Sequence, residues 1–402
     1  MVETNYSQSN SRGTNYSSRK RKNSPCIVFA AVLAMVNLTF LLFRQQSYFV
    51  FLVSSAKESS TTNSTTYISK NALTSPVSSH NVSVSERKTF VPVDVQKVCN
   101  NAASKVKDRT LPPSEILNLD EIYSIIKYWH EFNCPAEPRC NLESISQHLL
   151  HHAIELNKTL ITAQVGAMDG ETNDPMYEMF VREGGSYLGS RESFSDDLRH
   201  WLPVSIEPVP SNYHRMAKFY GNIAETTSLG CHVPINAAVS YDSPAKKECR
   251  FCRVNTSPDA PQQCQNLEDW MKDQLGTLDC KSSERFFDEH FDLCVLQDPL
   301  PCSSMVNLLS ERSVPIQHVA ILQIDIEGYE YALLEGFFNE MSDHSLLPPI
   351  IHFEHKVMRN EDNQNPLNGT KSRMEIVEEL LENEGYILKD ESEDYLAIRL
   401  HS

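Results

Sequence analysis

The chain has 402 residues, 40% of them hydrophobic, and a formal net charge of −17. Five of its 36 basic residues and one of its 53 acidic residues lie in the first 25, which leaves the remainder at −21. That excess of acid argues against nucleic acid as a partner, and the length fits one large domain behind a leader segment.

The first element in the chain is Ile27 to Phe43, an uncharged apolar run extended after Arg44 by Tyr48 to Val53. It reads as one membrane helix. Arg12, Arg19, Lys20, Arg21 and Lys22 precede it and only Arg44 closely follows it, so the positive-inside rule places residues 1–25 in the cytosol and the bulk of the chain in the lumen. The expectation is a single-pass type II membrane protein of the secretory pathway, as in the Golgi, with 26–53 as signal-anchor. A cleaved signal peptide ending near Ala56 is the alternative, although a polar leader of about 25 residues is long for one. Residues 54–90 are crowded with Ser, Thr and Asn and have little to bury, which makes a stalk. A helical lumenal region over 91–158 and a catalytic domain over 159–402 follow.

Cys26 lies at the membrane edge, and the other ten cysteines (99, 134, 140, 231, 249, 252, 264, 280, 294 and 302) form an even set able to close five disulfides in an oxidising compartment. Cys249, Cys252, Cys264 and Cys280 could instead hold zinc, but the neighbouring cysteines favour disulfides. Sequons at Asn63, Asn81, Asn157, Asn255 and Asn368 all fall on the lumenal side.

Alternating elements fill the domain. Strands are predicted over 160–165, 203–207, 233–239, 319–324 and 349–354, with helices over 175–182, 210–220, 329–340 and 371–384. Asp174 can cap the first of these helices, and Pro175 suits its first turn. Residues 241–315 hold six cysteines and read as an irregular insertion pinned by its own disulfides. Two last strands, 386–389 and 395–399, form an antiparallel edge. This is an α/β chain with a mostly parallel sheet and helices on both faces.

Two apolar strands end in small and acidic residues, Ala163 to Gly170 and Ile321 to Gly328, as a cofactor-binding sheet presents its ligand edge. Gly166 and Gly170 allow a sharp turn under a ligand, and Asp169 adds a carboxylate there. The spacing lacks the GxGxxG that a dinucleotide pyrophosphate asks for, so a nucleoside without phosphates fits better. Glu207 ends the second strand where an acid can accept both ribose hydroxyls, and Asn236 ends the third, where an amide could meet adenine. Asp325 and Glu327 flank one residue, so both side chains point the same way if the strand persists, and two such acids repel unless they share a cation, a proton or a substrate ammonium. His352, Glu354 and His355 gather at the end of the next strand.

In this order, Val165 to Gly170, Ile206 to Met216, Asn236 to Ser240, and Ile324 to Phe337 followed by Pro349 to His355 resemble the FkbM-type S-adenosylmethionine-dependent methyltransferases. Gln164 departs from the commoner form, in which Asp is frequent. The resemblance implies a Rossmann-like methyltransferase fold and S-adenosylmethionine as cofactor, bound by Gly166, Asp169, Gly170, Glu207 and Asn236. It also implies O-methylation of an acceptor such as a carbohydrate hydroxyl, with Asp325, Glu354 or His355 as the base. No metal ligand is assigned. A lumenal glycosyltransferase with Asp325-x-Glu327 as its metal site, and an inactive glycan- or protein-binding module, are the alternatives.

Overall fold

The computed structural model describes residues 93–101, 111–134, 140–171, 174–182, 197–241, 247–268, 271–272, 276–278, 280, 291–364 and 371–401. The expected tail, membrane segment and stalk lie outside these residues, as do Cys26, Asn63, Asn81 and Asn368. Among the described residues no helix is long and apolar enough to cross a membrane. All of them belong to one compact unit, Arg87–Ser402.

Three helices come first: α1 (Val95–Asn101), α2 (Leu119–Asn133) and α3 (Leu142–Glu155). Asn118 starts α2 with a reciprocal cap, accepting from Glu121 N while Glu121 accepts from Asn118 N. Strand β1 (Leu160–Val165) follows, with every residue buried. Asp174 caps the next turn as expected, Oδ1 accepting from Met176 N and Tyr177 N at 2.8 and 3.0 Å. The expected helix there is a turn of α-helix, Pro175–Tyr177, continued by a π turn, Glu178–Arg182. β2 (Trp201–Ile206) leads through Pro208 into α4 (Pro210–Thr226), with Pro210 at its first position.

The third expected strand divides. β3 (Val233–Ile235) stays in the main sheet, whereas β4 (Ala238–Val239) joins a second sheet with β5 (Glu248–Val254), β6 (Gly276–Thr277) and β7 (Val295–Ser303). The break falls at Asn236, whose Nδ2 donates to the carbonyls of Glu207 and Pro208 and turns the chain out of the sheet. The insertion expected to be irregular is thus built on a small sheet of its own.

The chain returns to the main sheet through α5 (Met305–Glu311), β8 (Ile321–Ile324), α6 (Glu330–Glu340) and β9 (Ile350–Glu354). It closes with α7 (Lys356–Gln364), α8 (Arg373–Asn383), β10 (Tyr386–Asp390) and β11 (Asp394–Arg399). The sheet order is β10-β11-β9-β8-β1-β2-β3. Only β11 runs against its neighbours, pairing antiparallel with both β9 and β10. This is a doubly wound order with one antiparallel strand slipped in before the edge.

Residues alternate between two cores. One face of β1 gives Ile161, Ala163 and Val165 to a core shared with α1, α5, α6 and α8, and the other face packs Leu160 against α2, α3 and α4. The ten cysteines after Cys26 all pair: Cys99–Cys231, Cys134–Cys140, Cys249–Cys302, Cys252–Cys280 and Cys264–Cys294. The zinc alternative is therefore excluded, since its four cysteines enter three different disulfides. Five disulfides fit an oxidising, secretory compartment.

Candidate functional site

The strand order reverses at β1, which lies between β2 and β8, and a crevice opens there at the carboxyl ends of the strands. A cavity occupies it, lined by the turn after β1, the end of β2, Asp325 to Glu327, and the insertion residues Phe251 and Gly276 to Leu278.

Its floor is the turn Gly166 to Gly170. Gly166 has φ 84°, and a Cβ there would meet the carbonyl oxygen of Asp325 at 1.7 Å. Only glycine fits. Met168 also adopts a positive φ, 46°, and Glu207 holds it in place: Oε2 accepts from Met168 N and Oε1 from Val209 N, both at 2.8 Å. One buried carboxylate thereby joins the turn after β1 to the entrance of α4 and also lines the cavity. Burial pushes this carboxyl up to about 8, against the pull of the two N–H donors and Arg215.

The other expected cofactor residues also have partners within the protein. Asp169 approaches Arg215 at 3.8 Å and accepts from Glu171 N, Gly170 lies against Tyr220 and Met216, and Asn236 braces the carbonyls already described. None of the three lines the cavity, whereas Gly166, Glu207 and Asp325 do.

The far wall is acidic. β8 stops at Ile324, and Glu327 takes a left-handed φ of 55° followed by Gly328 at 103°. The strand therefore does not carry Asp325 and Glu327 onto one face by alternation, yet the turn brings both to the cavity. Glu330, fully buried at the start of α6, accepts from Ile326 N at 2.8 Å and Gly328 N at 2.9 Å and so fixes that turn. Asp325, Glu330 and Glu354 each bring a carboxylate oxygen within 4.8 Å of the others. Glu354 faces Asp394 across the sheet, and its Oε2 is buried with no hydrogen-bond partner.

Crowded acids in a poorly solvated place hold their protons. Burial, then Asp325, Glu330, Glu327 and Asp394, push Glu354 to about 9. Burial pushes Glu330 to about 8, and burial with Asp394 raises Asp325 to about 6. Near neutrality Asp325 is thus the member that gives up its proton, while Glu354 keeps one. His355 is buried under the ring of Tyr395 with Nε2 3.5 Å from Asp390, and burial lowers its basicity. It does not line the cavity.

The cavity residues Asp174 and Phe251, and Glu330 behind the acidic wall, were not assigned a ligand role from the sequence. Asp174, pushed to about 7 by burial, is bonded by Tyr220 and by Gln164, so Gln164 is an acid's partner. Glu330 could have been flagged by its place two residues beyond Gly328. Phe251 carries no local signal, because only the insertion's path brings it over the cavity.

Fold and site together define a doubly wound α/β protein with a ligand cavity at its switch point. Neither a protein-family model nor a curated protein matches the chain. Among solved structures 13 chains match. They include the methyltransferase FkbM from Methylobacillus flagellatus KT, at 13% identity and TM-score 0.31, covering 60% of this chain and 43% of that one. The CMeT domain of the citrinin polyketide synthase gives 10%, 0.29, 65% and 52%, and the DszA carbon methyltransferase 10%, 0.28, 71% and 59%. The chain spans about half the length of these three.

Proposed function

We propose that this chain is an S-adenosylmethionine-dependent O-methyltransferase of the secretory-pathway lumen, acting on a carbohydrate hydroxyl. The observation that carries the reading is the make-up of the cavity: an apolar slot beside Ile206, Val209, Ala237 and Phe251, ending in the carboxylates Asp325 and Glu327. An apolar slot suits a nucleobase, and an acidic end suits the positive charge of a sulfonium and an amino group. The same acids oppose a pyrophosphate, which counts against a sugar-nucleotide donor.

The residues present fit the cofactor. Phe251 and Val209 would cover the base, Glu207 has lone pairs left for ribose hydroxyls, and the turn at Gly166 would pass beneath the amino-acid portion. When bound, S-adenosylmethionine supplies an electrophilic methyl carbon. The chain supplies placement and proton handling: Asp325 takes the acceptor's hydroxyl proton, and protonated Glu354 beside it donates a hydrogen bond that spreads the charge. Proton removal of this kind is worth about 10²–10⁴-fold, and alignment of the two reactants contributes the larger share.

Calorimetry with S-adenosylmethionine is the deciding test. Saturable binding is expected, and no binding would end the methyltransferase reading in favour of the glycan- or protein-binding module. Labelled methyl transfer over a panel of glycans tests the acceptor, and label that enters only protein or lipid would refute the carbohydrate assignment. Asn157 is exposed and Asn255 half-buried, so a lumenal chain should lose mass on endoglycosidase treatment. An unmodified protein whose C-terminus is cut by protease outside intact microsomes would overturn the topology.

A further inference from the structure

One side of α3 carries the half-buried His148, His151 and His152 and the exposed Glu155. At offsets of three, four and seven residues, all four lie on one helical stripe. Glu155 holds two of the imidazoles, Oε1 at 3.1 Å from His151 Nε2 and Oε2 at 3.1 Å from His152 Nδ1. His152 is thereby oriented by its Nδ1, leaving Nε2 as its other ring nitrogen. His148 meets that ring edge-on, with centroids 4.6 Å apart, and its other side stacks against Tyr128 of α2 at 6.4 Å. The Nε2 of His148 is buried and has no hydrogen-bond partner. Leaving such an atom unsatisfied is costly, and a missing ligand is one of the ordinary explanations.

We propose that this stripe is a zinc-class metal site, separate from the cavity, with His148 Nε2 and His152 Nε2 as ligands. Glu155 stands behind His152 as the carboxylate that fixes the tautomer and raises ligand basicity. Imidazole nitrogens select a borderline-soft divalent cation over calcium or magnesium. The ten cysteines after Cys26 are all in disulfides and do not compete for zinc.

Zinc titration of the full chain against a chromogenic chelator tests the site. Wild type should bind zinc saturably. His148→Gln and His152→Gln should each weaken binding at least about tenfold, and Glu155→Gln about tenfold. Asp325→Asn, which alters the acidic wall of the cavity instead, should leave this affinity unchanged. X-ray absorption at the zinc edge of the wild-type complex should show imidazole scattering, which keeps the test independent of how the variants fold. Wild type without saturable uptake, histidine variants with wild-type affinity, or a spectrum fitted by oxygen ligands alone would overturn the proposal.

Discussion

The central sheet and the insertion between Tyr241 and Pro315 are held together by different forces. Both β1 and β2 are buried along their whole length, and their side chains enter two cores that run across the molecule. In the insertion β5 and β7 alternate with solvent, and its two small clusters are built around only Val254, Ala260, Cys264 and Cys294, and around Ala238, Phe251, Leu300 and Cys302. Burial on that scale stabilises little, so three disulfides constrain the segment instead. The cavity lies where the two regimes meet, with Asp325 and Glu327 on the sheet side and Phe251 on the cross-linked side.

The comparison can be broken first on the sheet side. Asp325→Asn keeps the size of the side chain but cannot take a proton, so turnover should fall by about 10²–10⁴-fold while S-adenosylmethionine affinity stays within a few-fold. The wild-type rate should rise with pH through about 6, where Asp325 ionises. A variant with full turnover, or a flat profile, would remove Asp325 as the base.

Gly166→Ala forces a Cβ into the carbonyl of Asp325 and a side chain into a positive φ. A loss of about 3 kcal/mol of stability is expected, read by denaturant unfolding, with the insertion's hydrogen-exchange protection unchanged below the global transition.

Cys252→Ser with Cys280→Ser opens a loop of 28 residues, for which the chain-entropy estimate is about 3.6 kcal/mol. Here the loss should be local. Hydrogen exchange should quicken in β5 and β6 but not in β1 or β8, and cofactor affinity should drop because Phe251 is no longer held over the slot. Equal loss of protection in both regions would show that sheet and insertion unfold as one unit.

The smallest effect is global and electrostatic. Glu207, Glu330 and Glu354 are raised from an ordinary 4.5 to about 8, 8 and 9. The folded chain therefore holds protons that the unfolded chain has released, and stability should fall as pH rises from about 5 to 8. Calorimetry should find Tm lower at pH 8 than at pH 5.5. Glu330→Gln should flatten that slope, since the amide no longer titrates.

Much of the sheet was legible because fully buried strands read as continuous apolar runs and their ends are marked by Gly, Pro and acids. β1, β2, β8 and β9 fall within two residues of their expected limits at every end. The third strand was not, because β3 and β4 are one apolar run in sequence and only the brace from Asn236 to the end of β2 splits them between sheets. The strand-end acids show the same divide. Glu207, Asp325, Asn236, Asp169 and Gly170 are equally plausible by position, and only the folded chain brings the first two to the cavity lining and leaves the other three off it. His355 was grouped with Glu354 by adjacency, and successive residues leave a strand on opposite sides.

The sequence by itself determined the alternating α/β order, the apolar strands and the even cysteine set, because each follows from local periodicity or residue count. Which cysteines pair, which glutamate keeps its proton and which insertion residue roofs the cavity were decided by tertiary structure alone. Those properties depend on burial and on distances between residues far apart in the chain, and neither is encoded in spacing along it.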